Sequence, residues 1–124
     1  MRFLGIFLCL CLLGGVALAQ GQGDTAQRGQ AVFEGNCAQC HRSNGEGLPA
    51  TFPALNKNPF VLGEPSPVIA TVLNGRKGHL GRMPSWSDKL DDQQIAAVVT
   101  YLRQAWSNRA APVTPAMVAA MRGR

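Results

Sequence analysis

Cys37-Ala38-Gln39-Cys40-His41 places two thiols and an imidazole within five residues. At this spacing the thiols reach two vinyl groups along one edge of a porphyrin, and the adjacent imidazole turns under the iron. One pentapeptide thus supplies both attachment and an axial ligand for a haem. Five residues of this kind also suit a redox dithiol or half of a zinc site, so the elements around them decide.

The N-terminus bears on the compartment. Arg2 precedes an apolar run over residues 3–16, and Ala17-Leu18-Ala19 has the small-x-small pattern of a signal-peptidase site. This predicts a signal peptide over residues 1–19, export, and cleavage after Ala19. The alternative is an uncleaved anchor, since a span takes about 17–25 apolar residues and this run is at the short end. Cys9 and Cys11 follow Leu8 and Leu10 and do not read as lipidation sites. Cleavage removes both, leaving Cys37 and Cys40 as the cysteines of a mature chain of 105 residues. Such a chain makes one small domain without a disulfide framework, and a haem would enlarge its limited core.

The formal charge of +5 falls to +4 with the loss of Arg2. Arg42, Lys57, Arg76, Lys77, Arg82 and Lys89 are dispersed and not interleaved with aromatics, which excludes a nucleic-acid platform.

Residues 20–23 are polar and glycine-rich and are expected to be unstructured, with Asp24 capping a first helix that carries Ala26, Gly29, Val32 and Phe33 and stops at Gly35-Asn36. Gly29 costs that helix about 1 kcal/mol against alanine, so another backbone or ring is expected to pack there. Glycines and prolines crowd residues 42–67, which read as a wrapped loop organised by a ligand face. Ser66-Pro67 reads as cap and first residue of a short helix through Val68, Ile69, Val72 and Leu73, ending at Asn74-Gly75. Residues 76–84 read as an exposed or haem-facing loop. Asp91 and Gln94 form a capping box for a helix with the apolar stripe Ile95, Val98, Val99, Leu102, Ala105 and Trp106, ending near Asn108. The boundaries are therefore a leader over 1–19, a domain over 20–108, and a tail over 109–124 with a cap signal at Thr114-Pro115 and no chemical role.

If His41 holds one side of the iron, Met83, Met117, Met121 and His79 are candidates for the other. Met83 is the strongest, because Pro84 stiffens the chain where a weakly bonding thioether must be held. A methionine is often only a core gap-filler. His79 reads as a loop histidine, since a second histidine makes a different, lower-potential site.

The segments CAQCH, FPAL, GRMPSW and LDDQQIAAVVTYLRQAWSN together resemble a class I c-type cytochrome over about residues 24–108. The resemblance implies an all-α cytochrome c fold, with short helices and loops wrapped around one haem c. It makes Cys37 and Cys40 the thioether positions, and His41 and Met83 the metal ligands. Pro53 would accept the proton of the His41 ring at its carbonyl. Gly29 and Phe33 would cross the last helix near Val98 and Tyr101. The likeness extends to small cytochromes that serve bacterial dehydrogenases or are fused to terminal oxidases, while the short middle and few lysines depart from mitochondrial types.

Two strong axial ligands leave no open iron position, so the reading is a one-electron carrier and not an enzyme. It would work as a monomer or complex subunit, exported to the periplasm or another extracytoplasmic space. Its partners would be redox proteins, a dehydrogenase or a terminal oxidase, with membrane association only through a partner or an uncleaved leader. The alternative is a gas-binding or catalytic haem protein with a displaceable sixth ligand. A zinc module built on Cys37, Cys40, His41 and His79 suffers from the adjacency of Cys40 and His41. A thiol oxidoreductase lacks its usual strand alternation.

Overall fold

Two helices cross at a glycine, and the rest of the chain is arranged about that crossing. The computed structural model describes residues 17–124, with α1 at Ala17–Asn36 and α5 at Asp92–Gln104. A Cβ on Gly29 would stand 2.8 Å from the carbonyl carbon of Ala97 and 2.8 Å from the Cβ of Tyr101, and would meet the Ala97 oxygen head-on. The glycine therefore lets the two backbones touch. Its neighbours are Ala97 and Tyr101, one residue away from the expected Val98. One turn on, Phe33 is fully buried, its ring centroid 5.4 Å from Tyr101 and 5.5 Å from Trp106. These tilted and edge-on rings form an aromatic trio at the end of the crossing.

The leader expected over residues 1–19 lies outside the described residues except for its last three. The expectation that residues 20–23 are unstructured and that Asp24 caps the first helix is corrected, because α1 is already helical from Ala17. Asp24 instead pairs with Arg28 at 2.7 Å, one turn along the helix surface. None of the described helices is long and apolar enough to cross a membrane.

After α1 come two single turns, α2 at Ala38–His41 and α3 at Pro59–Leu62, and then α4 at Pro65–Asn74. The expected cap at Ser66 is displaced. Pro65, with its fixed φ, is already the first helical residue, and Glu64 holds the N-cap position without a side-chain bond. The buried face of α4 is Val68, Ile69, Val72 and Leu73, as its spacing predicts.

Residues 76–84 are more regular than expected. Arg76–Lys77 (β1) and Arg82–Met83 (β2) pair antiparallel, with Arg76 opposite Met83 and Lys77 opposite Arg82. Gly78 N–H donating to the Gly81 carbonyl at 2.8 Å closes the turn.

The capping box on α5 is present in both directions. Asp91 accepts from Gln94 N at 2.8 Å, and Gln94 accepts from Asp91 N at 2.9 Å. The helix nevertheless ends at Gln104 and not near Asn108. Trp106 adopts φ 54°, which turns its ring back towards Phe33, and Asn108 donates to the Leu102 carbonyl at 2.7 Å as a side-chain stop. The tail is docked. Its helix α6, Pro115–Met121, is capped by Thr114, and Val118 is fully buried in the common core.

Among the described residues the fold is all-α apart from the ribbon of two two-residue strands, with one core shared by α1, α4, α5 and α6.

Candidate haem site

The end of α1 delivers the site. Cys37 N–H still donates to the Phe33 carbonyl at 2.8 Å, and the Cys37 carbonyl then accepts from Cys40 N at 3.2 Å and His41 N at 3.0 Å. One helical turn thus puts both thiols and the imidazole on adjoining positions. Neither cysteine is in a disulfide, and both are half-buried.

After His41 the chain reverses through two residues that need positive φ and close approach. Gly47 has φ +60°, and a Cβ there would lie 2.7 Å from the Pro53 carbonyl oxygen. Gly45 has φ +70°, and a Cβ there would lie 2.7 Å from the Trp106 ring. Gly47 N donates to the His41 carbonyl at 2.9 Å, Leu48 and Phe52 exchange bonds, and Leu55 N donates to the Gly45 carbonyl at 2.7 Å. The loop therefore closes on itself and brings the Pro53 carbonyl 3.0 Å from His41 Nδ1. A carbonyl has no proton to give, so Nδ1 carries the hydrogen and donates it. The lone pair is left on Nε2, free for a metal.

Met83 ends β2 and is half-buried against the same core that Cys37 packs on. The chain beyond it is held to the end of α4: Trp86 N donates to Val72 O at 3.1 Å, Ser87 N to Leu73 O at 3.2 Å, and Ser85 Oγ to Leu73 O at 2.5 Å. His79 is exposed near the ribbon turn. Met117 and Met121 are on α6, packed against the core. The structure thus joins Cys37, Cys40, His41 and Pro53 in one loop and presents Met83 on a separate, braced segment.

Two clamps on the site were not read from the sequence. Trp106 Nε1 donates to the Ser43 carbonyl at 2.9 Å, and Asn108 donates to the Leu55 carbonyl at 3.0 Å while accepting from Lys57 N at 2.7 Å. Both reach from beyond α5 to the Pro53 loop across more than forty residues, a relation that no local periodicity carries.

The donor set fits a haem. Two free thiols one turn apart match the two vinyl groups, and Nε2 of the adjacent imidazole is the nitrogen left for iron. Leu48, in the Pro53 loop, and Leu80, at the ribbon turn before Met83, are large apolar side chains exposed at 40% and 68%. Apolar surface left uncovered on both segments suits the packing of a flat apolar group.

The rivals fit less well. Burial pushes the Cys37 thiol up to about 11, with the Cys40 charge adding to it. A redox dithiol needs the opposite shift, because the thiolate is the nucleophile. Among the described residues, no three His, Cys, Asp or Glu side chains gather to hold a metal ion, as a zinc site requires.

Comparison with known proteins bears on the same residues. The family model described as cytochrome c oxidase, cbb3-type, subunit III, matches residues 24–102. The gluconate 2-dehydrogenase cytochrome c subunit of Pantoea cypripedii is 39% identical over 117 residues, covering 86% of this chain and 26% of that protein. Cytochrome c-552 of Thermus thermophilus is 33% identical over 113 residues, covering 82% of this chain and 71% of that protein. Cytochrome c6 of Bryopsis maxima is 38% identical over 85 residues, covering 64% of this chain and 91% of that protein. The chain spans about a quarter of the length of its dehydrogenase and oxidase relatives. The family match takes in both the loop from Cys37 to Pro53 and the ribbon that ends at Met83. The chain belongs to the class I c-type cytochromes, and its one haem c is attached through Cys37 and Cys40.

Proposed function

We infer that this cytochrome holds its haem iron between His41 and Met83 and passes single electrons in an exported dehydrogenase or respiratory chain. The observation that carries the ligation is the 3.0 Å bond from His41 Nδ1 to the Pro53 carbonyl. It fixes the ring tautomer and orients Nε2, the work of a supporting residue behind a metal ligand. When bound, the haem supplies a one-electron couple, and a methionine opposite a histidine raises its potential. The chain's own part is to hold both ligands still and to keep water from the haem faces, so that little moves when the charge changes. Met83 is supported by its braced ribbon and by Pro84, which removes a backbone hydrogen and fixes φ.

For partners we favour a dehydrogenase or terminal-oxidase complex, in keeping with the names of the longer relatives. Arg42, Lys57, Arg76, Lys77, Arg82 and Lys89 are all exposed, and Lys77 and Arg82 pair across the ribbon. Exposed positive charges of this kind would steer an acidic partner and give a salt-sensitive encounter. Residues 1–19 would direct export to the periplasm.

The test is an optical spectrum of the oxidised, haem-loaded protein and of its Met83→Ala variant, read at the far-red sulfur-to-iron band. A band in the parent that vanishes in the variant supports His41/Met83 ligation. Haem attachment without the band in either protein overturns it, and His79 ligation or an open, ligand-binding iron takes its place.

A further inference from the structure

The tail beyond the family match ends in a side chain that grips the Met83 segment. Arg122 follows α6, and its guanidinium donates through Nη1 to the Ser87 carbonyl at 2.7 Å and through Nη2 to the Leu90 carbonyl at 2.8 Å. Its Nε pairs with the Asp92 carboxylate in the first turn of α5. One planar fork thus collects two main-chain carbonyls and a charge, a use of arginine that lysine's single ammonium does not reproduce.

The two carbonyls are not arbitrary ones. Residues 86–90 form a tight turn in which Lys89 N and Leu90 N both donate to the Trp86 carbonyl, at 3.1 and 3.0 Å. That turn leads directly from Met83 and Pro84 to the start of α5. Its near end is tied to α4 through Trp86 N and Ser87 N. Arg122 ties its far end to α6 and α5.

The tail that brings Arg122 there is itself fixed at two earlier points. Arg103 Nε donates to the Ala111 carbonyl at 2.8 Å, and the Thr100 hydroxyl accepts from Val113 N at 2.9 Å. Val113 and Val118 are buried, so α6 is a seated element and its end has a defined position.

The geometry points to Arg122 as a positioning residue for the sixth ligand: the docked tail holds the 86–90 turn, and through it restrains Met83 against displacement from the iron. This rests on Met83 ligation and goes beyond it, because it couples a segment outside the matched residues 24–102 to the strength of that bond. The prediction concerns the opening of the ligand segment and not the stability of the whole fold. An external ligand that competes with Met83 reads the two apart.

The experiment is an imidazole titration of the oxidised, haem-loaded full chain, followed by loss of the sulfur-to-iron band, with guanidinium unfolding measured on the same samples. Arg122→Ala is compared with the parent and with Val61→Ala, which truncates a buried side chain on α3 and leaves the three Arg122 contacts in place. Arg122→Ala should tighten imidazole binding about tenfold, equivalent to about 1.4 kcal/mol of easier ligand release. Val61→Ala should leave imidazole binding within about twofold of the parent despite its own loss of unfolding stability. A sulfur-to-iron band in the parent with unchanged imidazole binding in Arg122→Ala overturns this inference alone. So does equal tightening in both variants, since Arg122 would then act only through overall stability. Absence of the band from the parent overturns the ligation and the inference together.

Discussion

Replacing Gly29 by alanine tests the physical basis of the fold most directly. The new Cβ would stand 2.8 Å from the Ala97 carbonyl carbon and from the Tyr101 Cβ, where non-bonded carbons prefer about 3.5–4.0 Å. A carbonyl in the middle of α5 cannot swing aside, so α1 itself has to lift, loosening Phe33 from Tyr101 and Trp106. Overpacking of this kind costs about 1–3 kcal/mol, and a backbone obstacle belongs at the upper end. Alanine returns about 1 kcal/mol of helix propensity, leaving a net loss of about 2 kcal/mol. For a domain of this size that lowers the melting temperature by ~10 °C. Thermal unfolding of the haem-loaded protein, followed by far-ultraviolet circular dichroism, reads it. Gly35 lies in the same helix, and a Cβ there would meet nothing within 4 Å, so Gly35→Ala is the control and should gain up to about 1 kcal/mol. A Gly29→Ala protein that melts at or above the parent, with Gly35→Ala behaving as expected, would refute the close crossing.

Asn108→Ala should cost about 2–4 kcal/mol in denaturant unfolding, because this fully buried amide serves the Leu55 and Leu102 carbonyls and Lys57 N, and each group left without a partner costs about 1–3 kcal/mol before water relieves it. A loss below about 0.5 kcal/mol, the usual range of surface changes, would mean the three bonds do not hold that loop. The Tyr101 phenol titrates above its ordinary value, chiefly from burial and also from the Glu34 charge. A raised folded-state value retains stability below the unfolded value and loses it as pH rises through the folded one. Denaturant midpoints should therefore fall more steeply past about pH 10 in the parent than in Tyr101→Phe, and parallel curves would contradict the assignment.

What the sequence made legible was mostly local. Cys37, Cys40 and His41 are contiguous, Asp91 and Gln94 lie within one turn, and the stripe from Ile95 to Leu102 repeats at helical spacing. The cost of Gly29 to its helix already signalled a close neighbour, but the identity of that neighbour and the His41–Pro53 bond were legible only through the resemblance to a family, since nothing in the spacing of Pro53 or Ala97 identifies its partner. The helix boundaries failed for physical reasons. Asp24 looks like a cap, but its carboxylate is engaged by Arg28 within a helix already formed. Ala105 and Trp106 continue the apolar stripe, yet the chain leaves the helix because the Trp106 ring gains the aromatic cluster and the Ser43 carbonyl by turning back. The ribbon at residues 76–83 has no alternation to reveal it, because its pairing is two residues long. Arg103, Asn108 and Arg122 read as surface polar residues by type. Their roles come from carbonyls far away in sequence.

Those three side chains explain how a domain without a disulfide fixes its loops. Irregular backbone leaves carbonyls that a buried site must satisfy. Asn108 collects Leu55 and Leu102, Arg103 collects Val61, Gly63 and Ala111, and Arg122 collects Ser87 and Leu90. Among the described residues, no buried side-chain nitrogen or oxygen is left without a partner. Each of the three lies on α5 or beyond it, so the Pro53 loop and the Met83 segment are both fastened to the same C-terminal part of the chain. Arg103 is nearly inaccessible, and its charge is tolerated because three carbonyls and the C-terminal end of α5 surround it. If His41 and Met83 both hold the iron, as proposed, these ties would keep the two ligand segments in place relative to each other. On that proposal the chain would have little to rearrange between oxidation states, because the carbonyl behind His41 and the bonds behind Met83 are made within the protein itself.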